Sequence, residues 1–252
     1  MIVCPICQRT NSHLAVTCAS CGGFLQAKVD NLDLFATTWR VIEFPRRAFH
    51  RIAIASHKNY VFFLSALLGI GEAFMLLWLF RIGNSNLHFL EILAIGFLAG
   101  PPLGIATVLV MASSQKLLTS IFGLRARFFQ AMGIISYAAI PIVASVILIL
   151  PIKLLTFGKY FFSSNPTPML IKPASYVLLL SLDAVFIVYS ITLYVAGIRC
   201  LYDVGTGKAL AVAGGTLAIV LALATALVLG LAESLGHRTL HELPIAWQSL
   251  RM

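Results

Sequence analysis

Long apolar stretches separated by short polar connections dominate the chain. They cover residues 60–80, 92–112, 132–152, 175–198 and 209–232. Each is close to the roughly 20 residues that a helix needs to cross a hydrocarbon core about 30 Å thick. The second, third and fifth stretches contain no charged residue. The pattern predicts an all-α polytopic membrane protein with five transmembrane helices.

A shorter amphipathic segment precedes the first stretch. Pro45 can begin a helix, because the first helical position needs no backbone N–H. At about 100° per residue, apolar side chains from Ala48 to Ala55, including Phe49 and Ile52, fall on one side of this helix. The basic side chains fall on the other side, and we assign membrane-surface binding to Arg46, Arg47, Arg51 and Lys58. We expect an interfacial helix with its apolar face among acyl chains and its arginines on anionic headgroups, the alternative being an ordinary basic flank.

Composition narrows the class of protein. Hydrophobic residues make up 60% of the chain, charged residues 11%, and the mean hydropathy is +0.94. These values exclude a soluble domain, in which about 25% of residues are charged. The net charge of +9 would suit nucleic acid only if the basic residues formed one folded face. They are instead scattered between the apolar stretches, so no nucleic-acid partner is expected.

The basic residues also indicate an orientation. Twelve lysines and arginines flank the spans on the side of the amino terminus, and six lie on the other side. Because cytoplasmic flanks are enriched in these residues, we expect a cytoplasmic amino terminus and an extracytoplasmic carboxy terminus. The first residues lack the pattern of a signal peptide.

Four cysteines near the amino terminus carry the strongest chemical signal. Cys4 with Cys7 and Cys18 with Cys21 form two Cys-x2-Cys pairs, and ten residues separate the pairs. Two such turns can place four thiolates around one tetrahedral ion, which predicts a small ribbon with structural Zn²⁺. Iron and free or disulfide-linked thiols are the alternatives, although a reducing cytosolic side disfavours disulfides. A four-thiolate shell has no open position, which argues against zinc catalysis.

One histidine and the fifth cysteine are not counted among the metal ligands. We expect His13 on the surface of the ribbon and Cys200 as a structural thiol at the end of the fourth span.

Two carboxylates lie within the apolar stretches. Glu72 and Asp183 each stand eight residues from the same end of their spans, which is about 12 Å of helical rise. Ionisable residues at such depths are functional candidates, and two neighbouring carboxylates could share a proton. A packing role for both is the alternative.

Glycines at spacing four occupy the second stretch. Gly96, Gly100 and Gly104 leave one face smooth enough for close helix approach, while Pro101 and Pro102 are expected to interrupt the helix. Packing is favoured over a transporter-like binding site, and association into a homo-oligomer is compatible with this face. The sequence has no catalytic constellation, so we do not expect an enzyme.

Three segments then stand in a recognisable order. They are a Phe-Pro-basic entry at 44–49, an aromatic and basic approach at 127–130 followed by Tyr137 and Pro141, and the connection at 197–211. Together, over about residues 40–232, they resemble the Yip family of Ypt-interacting membrane proteins. The ribbon in front is similar to prokaryotic members, which implies a prokaryotic plasma membrane. Eukaryotic relatives bind prenylated Rab GTPases and carry Asp-Leu-Tyr-Gly-Pro before the membrane domain, where this chain has residues 57–61.

These observations predict four regions and two alternative functions. The regions are a zinc ribbon at 1–26, a linker with the interfacial helix at 27–59, the membrane domain at 60–232 and a short tail at 233–252. The first function is a noncatalytic adaptor or organiser whose ribbon docks a cytoplasmic protein partner. The second is a small transporter or channel that uses Glu72 and Asp183.

Overall fold

The computed structural model describes residues 1–124 and 127–241, with side chains up to residue 226. The head is built from two strands, β1 (Ile2–Val3) and β2 (Thr10–Asn11), which pair antiparallel. Helices follow over the rest of the described chain. They are α1 (Leu34–Glu43), α2 (Pro45–Ile54), α3 (Val61–Leu79), α4 (Phe89–Ile121), α5 (Phe128–Ala138), α6 (Ile140–Phe157), α7 (Pro168–Ile171), α8 (Pro173–Tyr202) and α9 (Thr206–His241).

The predicted membrane architecture is confirmed. Five segments of the described chain are long and apolar enough to cross a membrane, namely α3, α4, α5 with α6, α8 and the part of α9 up to Ala226. Except for α3, which lies within its apolar stretch, the helices extend beyond the stretches by up to a few turns, because flanking polar residues continue the backbone hydrogen bonding. The last helix continues to His241, and residues 242–252 of the expected tail lie outside the described residues.

Prolines interrupt the third span and not the second, where an interruption was expected. The third span is divided at Ala139, two residues before Pro141, into α5 and α6. By contrast, α4 is continuous through Pro101 and Pro102, so the predicted interruption is wrong. Two adjacent prolines remove only two hydrogen bonds from a helix of 33 residues, and the turns on either side pack against α3.

The tightest helix pair, α3 with α4, is built on glycine. Gly100 faces Ile70, and a Cβ added to Gly100 would lie 2.6 Å from the Cα of Ile70. A Cβ on Gly104 would overlap the carbonyl oxygen of Ser65 and the backbone of Gly69. Gly96 lies under the ring of Phe74 in the same way. The three glycines of α4 therefore face α3, and α3 supplies a glycine of its own, Gly69, which the spacing in the second stretch did not indicate.

The amphipathic helix α2 contacts protein where lipid was expected. Its apolar residues Ala48, Phe49, Ile52 and Ala53 are buried. They pack against α5 and α8 as part of the main core. The expectation that this face lies among acyl chains is therefore wrong. Amphipathicity shows that one face is covered, and does not show by what.

An exposed apolar stripe lies instead on α1, which the sequence analysis did not single out. Phe35 and Trp39 are 84% and 68% exposed, and Ile42 continues the stripe at the next turn. The Tyr189 hydroxyl of α8 donates to the carbonyl oxygen of Ile42 at 2.9 Å, which places the end of α1 against a candidate span. Spacings of four and three residues put these side chains on one face of the helix.

Candidate metal centre and polar sites of the membrane domain

The four head cysteines converge on one point. Their sulfur atoms all lie within 4.8 Å of one another. Cys4 Sγ is 3.5 Å from Cys21 Sγ, and Cys7 Sγ is 3.5 Å from Cys18 Sγ. A tetrahedral zinc ion with bonds of about 2.3 Å requires sulfur atoms roughly 3.8 Å apart. The thiols therefore fit a four-coordinate metal site, and they are not joined as disulfides.

Two equivalent turns position these thiols. The N–H of Gln8 donates to the carbonyl oxygen of Cys4 at 2.9 Å, and the N–H of Gly22 donates to that of Cys18 at 3.0 Å. Gln8 and Gly22 both have positive φ, at 55° and 71°. Glycine adopts this conformation without steric cost, whereas glutamine does not. The sequence showed the glycine turn and gave no sign that Gln8 adopts the same conformation.

The surroundings of the thiols shift their pKa values in opposite directions. Backbone N–H groups of Cys21 and Ser20 lower the pKa of Cys18 to about 6. The Gly23 N–H lowers the pKa of Cys21, but the neighbouring Cys4 and Cys7 thiols and burial oppose ionisation and raise it to about 12. The four thiols cannot all ionise together unless a cation compensates their charge. The set is therefore suited to a metal ion.

The head contacts the membrane domain through His13. The ring Nε2 of His13 lies 2.9 Å from the carbonyl oxygen of Cys200, near the end of α8, and so donates to it. The backbone oxygen of His13 lies 3.3 Å from the side-chain nitrogen of Gln26 and 3.4 Å from the ring of His50 in α2. His13 is half-buried as a result. Cys200 also contacts α2, with its Sγ 3.7 Å from the carbonyl oxygen of Arg46.

Apolar side chains of the head remain exposed. Ile6, inside the first cysteine turn, is 70% exposed, and Phe24, just after the second turn, is 72% exposed. Val3 and Met1 are exposed as well. We call Ile6 and Phe24 the apolar face of the head. Ile6 lies against Gly23, where an added Cβ would be 2.6 Å from Ile6 Cδ1, so the two cysteine turns meet at this face.

The predicted surface cations divide into two groups. Arg46, Arg47 and Arg51 are exposed on α2. Lys58 is half-buried beyond the end of that helix, and its Nζ donates to the carbonyl oxygen of Ala55 at 3.0 Å.

Helix α5 fixes the connection between α2 and α3. The side-chain amide of Gln130 donates to the carbonyl oxygen of Ala53 at 3.0 Å, at the end of α2. The Tyr137 hydroxyl donates to the carbonyl oxygen of Asn59 at 2.8 Å, just before α3. Both residues belong to the segment on which the family resemblance was based, so that segment closes the junction between the entry helix and the first span.

The two intramembrane carboxylates line one cavity but have separate partners. Glu72 accepts a hydrogen bond from Thr107 at 2.8 Å, between α3 and α4. Asp183 accepts one from Ser145 at 2.6 Å and forms an ion pair with Lys153 of α6. The cavity measures about 490 Å³ and is otherwise mainly apolar. Lys153 is one of the six basic residues that were expected outside the spans, on the side opposite the head, but it is 5% exposed within the helix bundle.

A second polar cluster joins α4 to α8. The Tyr194 hydroxyl donates to Gln115 Oε1 at 2.9 Å, and Gln115 Nε2 donates to the Tyr202 hydroxyl at 3.2 Å. Gln115 is fully buried, and this cluster was also missed. The run of polar residues at 113–116 near the end of a span was its only sign in the sequence.

Comparison with known proteins places these features in a family. A scan against protein-family models matches the Yip1 domain over residues 39–227, which is more than half of the chain. The chain belongs to the Yip1 domain family. The match begins in α1 and ends in α9, so the Yip1 domain includes all five candidate spans and the buried helix α2, while the cysteines of the head lie before it. Searches of curated proteins and of solved structures gave no match.

Proposed function

We propose that this Yip1-domain protein is a noncatalytic membrane adaptor or organiser whose zinc ribbon docks a cytoplasmic protein partner. The observation that carries the proposal is the two-sided head. One side contacts the membrane domain through His13, and the apolar face bearing Ile6 and Phe24 is exposed. Exposed apolar patches of this kind are typical of protein-binding surfaces.

The chemistry of the head supports a structural metal. Four thiolates saturate tetrahedral Zn²⁺, so no position is left for substrate or activated water. Because the head has only two two-residue strands, its fold depends on the metal. In this proposal, Cys4, Cys7, Cys18 and Cys21 hold the ion that shapes the docking surface.

The membrane context completes the proposal. The five spans contact lipid. We assign the head to the cytoplasm and the carboxy terminus to the opposite side of a prokaryotic plasma membrane, on the basis of the twofold excess of lysine and arginine on the head side. Exposed Arg46, Arg47 and Arg51 then face anionic headgroups. Labelling of an introduced cysteine in the tail from the cytoplasmic side would contradict this orientation.

Copurification with metal analysis tests the adaptor. The detergent-solubilised protein is compared with Cys18→Ser/Cys21→Ser and with Ile6→Glu/Phe24→Glu, and zinc is measured by mass spectrometry in each. We expect about one zinc per chain in the wild type and in the surface variant, none in the cysteine variant, and loss of the same partner from both variants. A partner retained by both variants contradicts docking through the head.

The cavity between α3, α6 and α8 supports a second candidate function. Glu72, Lys153 and Asp183 provide polar groups inside a cavity of about 490 Å³ within the membrane domain, as a small transporter or channel would require. Proton or solute flux into liposomes tests this candidate with Glu72→Gln, which leaves the ion pair intact. Flux that Glu72→Gln abolishes favours transport, and the absence of flux in the wild type excludes it.

A further inference from the structure

A large cavity separates the head from the membrane domain at the end where α3 and α5 begin. Its volume is about 1160 Å³. One wall is the head segment 12–17, the second is the connection at 55–59, and the third consists of the first turns of α3 and α5. The cavity is distinct from the metal centre, because none of the four head cysteines lines it.

The charged residues that line this cavity are all basic. His57, Lys58 and Arg127 line it, and no aspartate or glutamate is among its described lining residues. Within the part of the chain that the structure describes, neither Lys58 nor Arg127 forms an ion pair. Burial, followed by the positive charge of Arg127, lowers the pKa of Lys58. Lys58 is half-buried and Arg127 is exposed, and two cations that repel each other with no acidic lining residue beside them favour an anion in this space.

The backbone adds to the positive potential. Val61 and Phe62, in the first turn of α3, line the cavity, as do Phe129 and Gln130 in the first turn of α5. No side chain caps the amino-terminal N–H groups of α3. The amino-terminal ends of both helices carry positive partial charge, which favours an anion in the same space as the cationic side chains.

The surroundings point to a lipid. Helix α3 is a candidate span that begins at Val61, so the cavity lies at the level where the membrane surface is expected. Phe62 and Phe129 line the cavity and are exposed, and they provide an apolar edge beside the cationic wall. A headgroup phosphate with acyl chains attached matches a cationic pocket that has an apolar, lipid-facing edge.

We propose that this cavity binds the phosphate of one anionic phospholipid, through Lys58 and Arg127 with His57 beside them. The proposal goes beyond the adaptor function and requires neither a protein partner nor transport. The bound headgroup also touches the head segment 12–17, so the lipid bridges the ribbon and the Yip1 domain.

Native mass spectrometry of the full-length protein in detergent tests the site. Phosphatidylglycerol, phosphatidylcholine and soluble glycerol phosphate are each titrated into the wild type. We expect one tightly bound phosphatidylglycerol per chain and at least tenfold weaker binding of phosphatidylcholine. Glycerol phosphate should be weaker still, because it lacks acyl chains. Equal affinity for glycerol phosphate and phosphatidylglycerol would overturn the lipid assignment in favour of a free phosphate ester.

Matched variants separate this site from general surface charge. Lys58→Gln/Arg127→Gln should weaken phosphatidylglycerol binding about thirtyfold, as expected for two basic residues at a headgroup. Arg40→Gln/Lys116→Gln removes the same charge from exposed positions outside the cavity and should leave the affinity unchanged. Equal losses in the two double variants would overturn a defined site. Arg127→Gln alone changes an exposed side chain that folding tolerates. It should weaken binding about fivefold, and an unchanged affinity would also overturn the proposal.

Discussion

Lys153 of α6 and Asp183 of α8 form an ion pair inside the helix bundle of the Yip1 domain. The side chain of Lys153 is 7% exposed and that of Asp183 is 24% exposed. Ser145 donates a further hydrogen bond to the carboxylate, and the Lys153 ammonium lies 5.5 Å from the ring centre of Phe161. Each charge therefore has a compensating partner, which is the condition for keeping an ion pair in an apolar environment.

Breaking this pair on one side should destabilise the protein strongly. We expect Lys153→Met or Asp183→Asn alone to lower the free energy of unfolding by about 3 kcal/mol, because each leaves its partner less compensated. The double variant Lys153→Met/Asp183→Asn should recover most of that loss, since no buried charge remains. Thermal melting of the detergent-solubilised protein measures all three. Additive losses in the double variant would show that the two residues do not act as a pair.

The buried amide between α4 and α8 should be equally sensitive. Gln115→Ala removes a donor and an acceptor, so the Tyr194 hydroxyl loses its acceptor and the Tyr202 hydroxyl keeps only the 3.5 Å contact from Thr119. We expect a loss of about 2–3 kcal/mol in the free energy of unfolding. The control is Lys116→Ala at the next, exposed position, which should change the melting temperature little. A similar effect of both substitutions would contradict a specific role for the amide.

How far the sequence predicted this fold depends on the kind of signal. Hydropathy gave all five spans, because the requirement for about 20 apolar residues is local. The partner of Asp183 could not be predicted, since it depends on α6 lying beside α8, which is a tertiary property. The burial of Phe49 was missed for the same reason. An amphipathic pattern looks the same whether lipid or protein covers it.

The candidate sites divide in the same way. The cysteine spacing predicted a metal site, because four ligands in two tight turns are nearly self-contained. By contrast, the cavity beside Lys58 is made by three distant segments of the chain. The sequence shows its basic residues, but it does not show that they line one cavity.

Glycine packing provides a test with a control inside the same domain. Gly104→Ala should lower the free energy of unfolding by about 2 kcal/mol, because the new methyl group would overlap the backbone of α3. Gly214→Ala in α9 places its methyl group in open space, where no atom lies within 4 Å. There the substitution should be neutral or stabilising by up to about 1 kcal/mol, since alanine favours helix more than glycine does. Thermal melting compares the two, and equal shifts would show that α3 and α4 do not require close contact at Gly104.

Removal of the metal should unfold the head and spare the Yip1 domain. With only two short strands, the head has too few contacts of its own to hold its fold, whereas the membrane domain has an extensive apolar core. After chelation of zinc, we expect hydrogen exchange in residues 1–26 to accelerate at least a hundredfold and exchange in α3 and α4 to stay unchanged. Cys200→Ser should keep its zinc and its slow exchange, because Cys200 is not part of the four-sulfur cluster. If the metal is gone and residues 1–26 remain protected, the contacts of His13 with α8 are enough to hold the head, and the metal is not its structural basis.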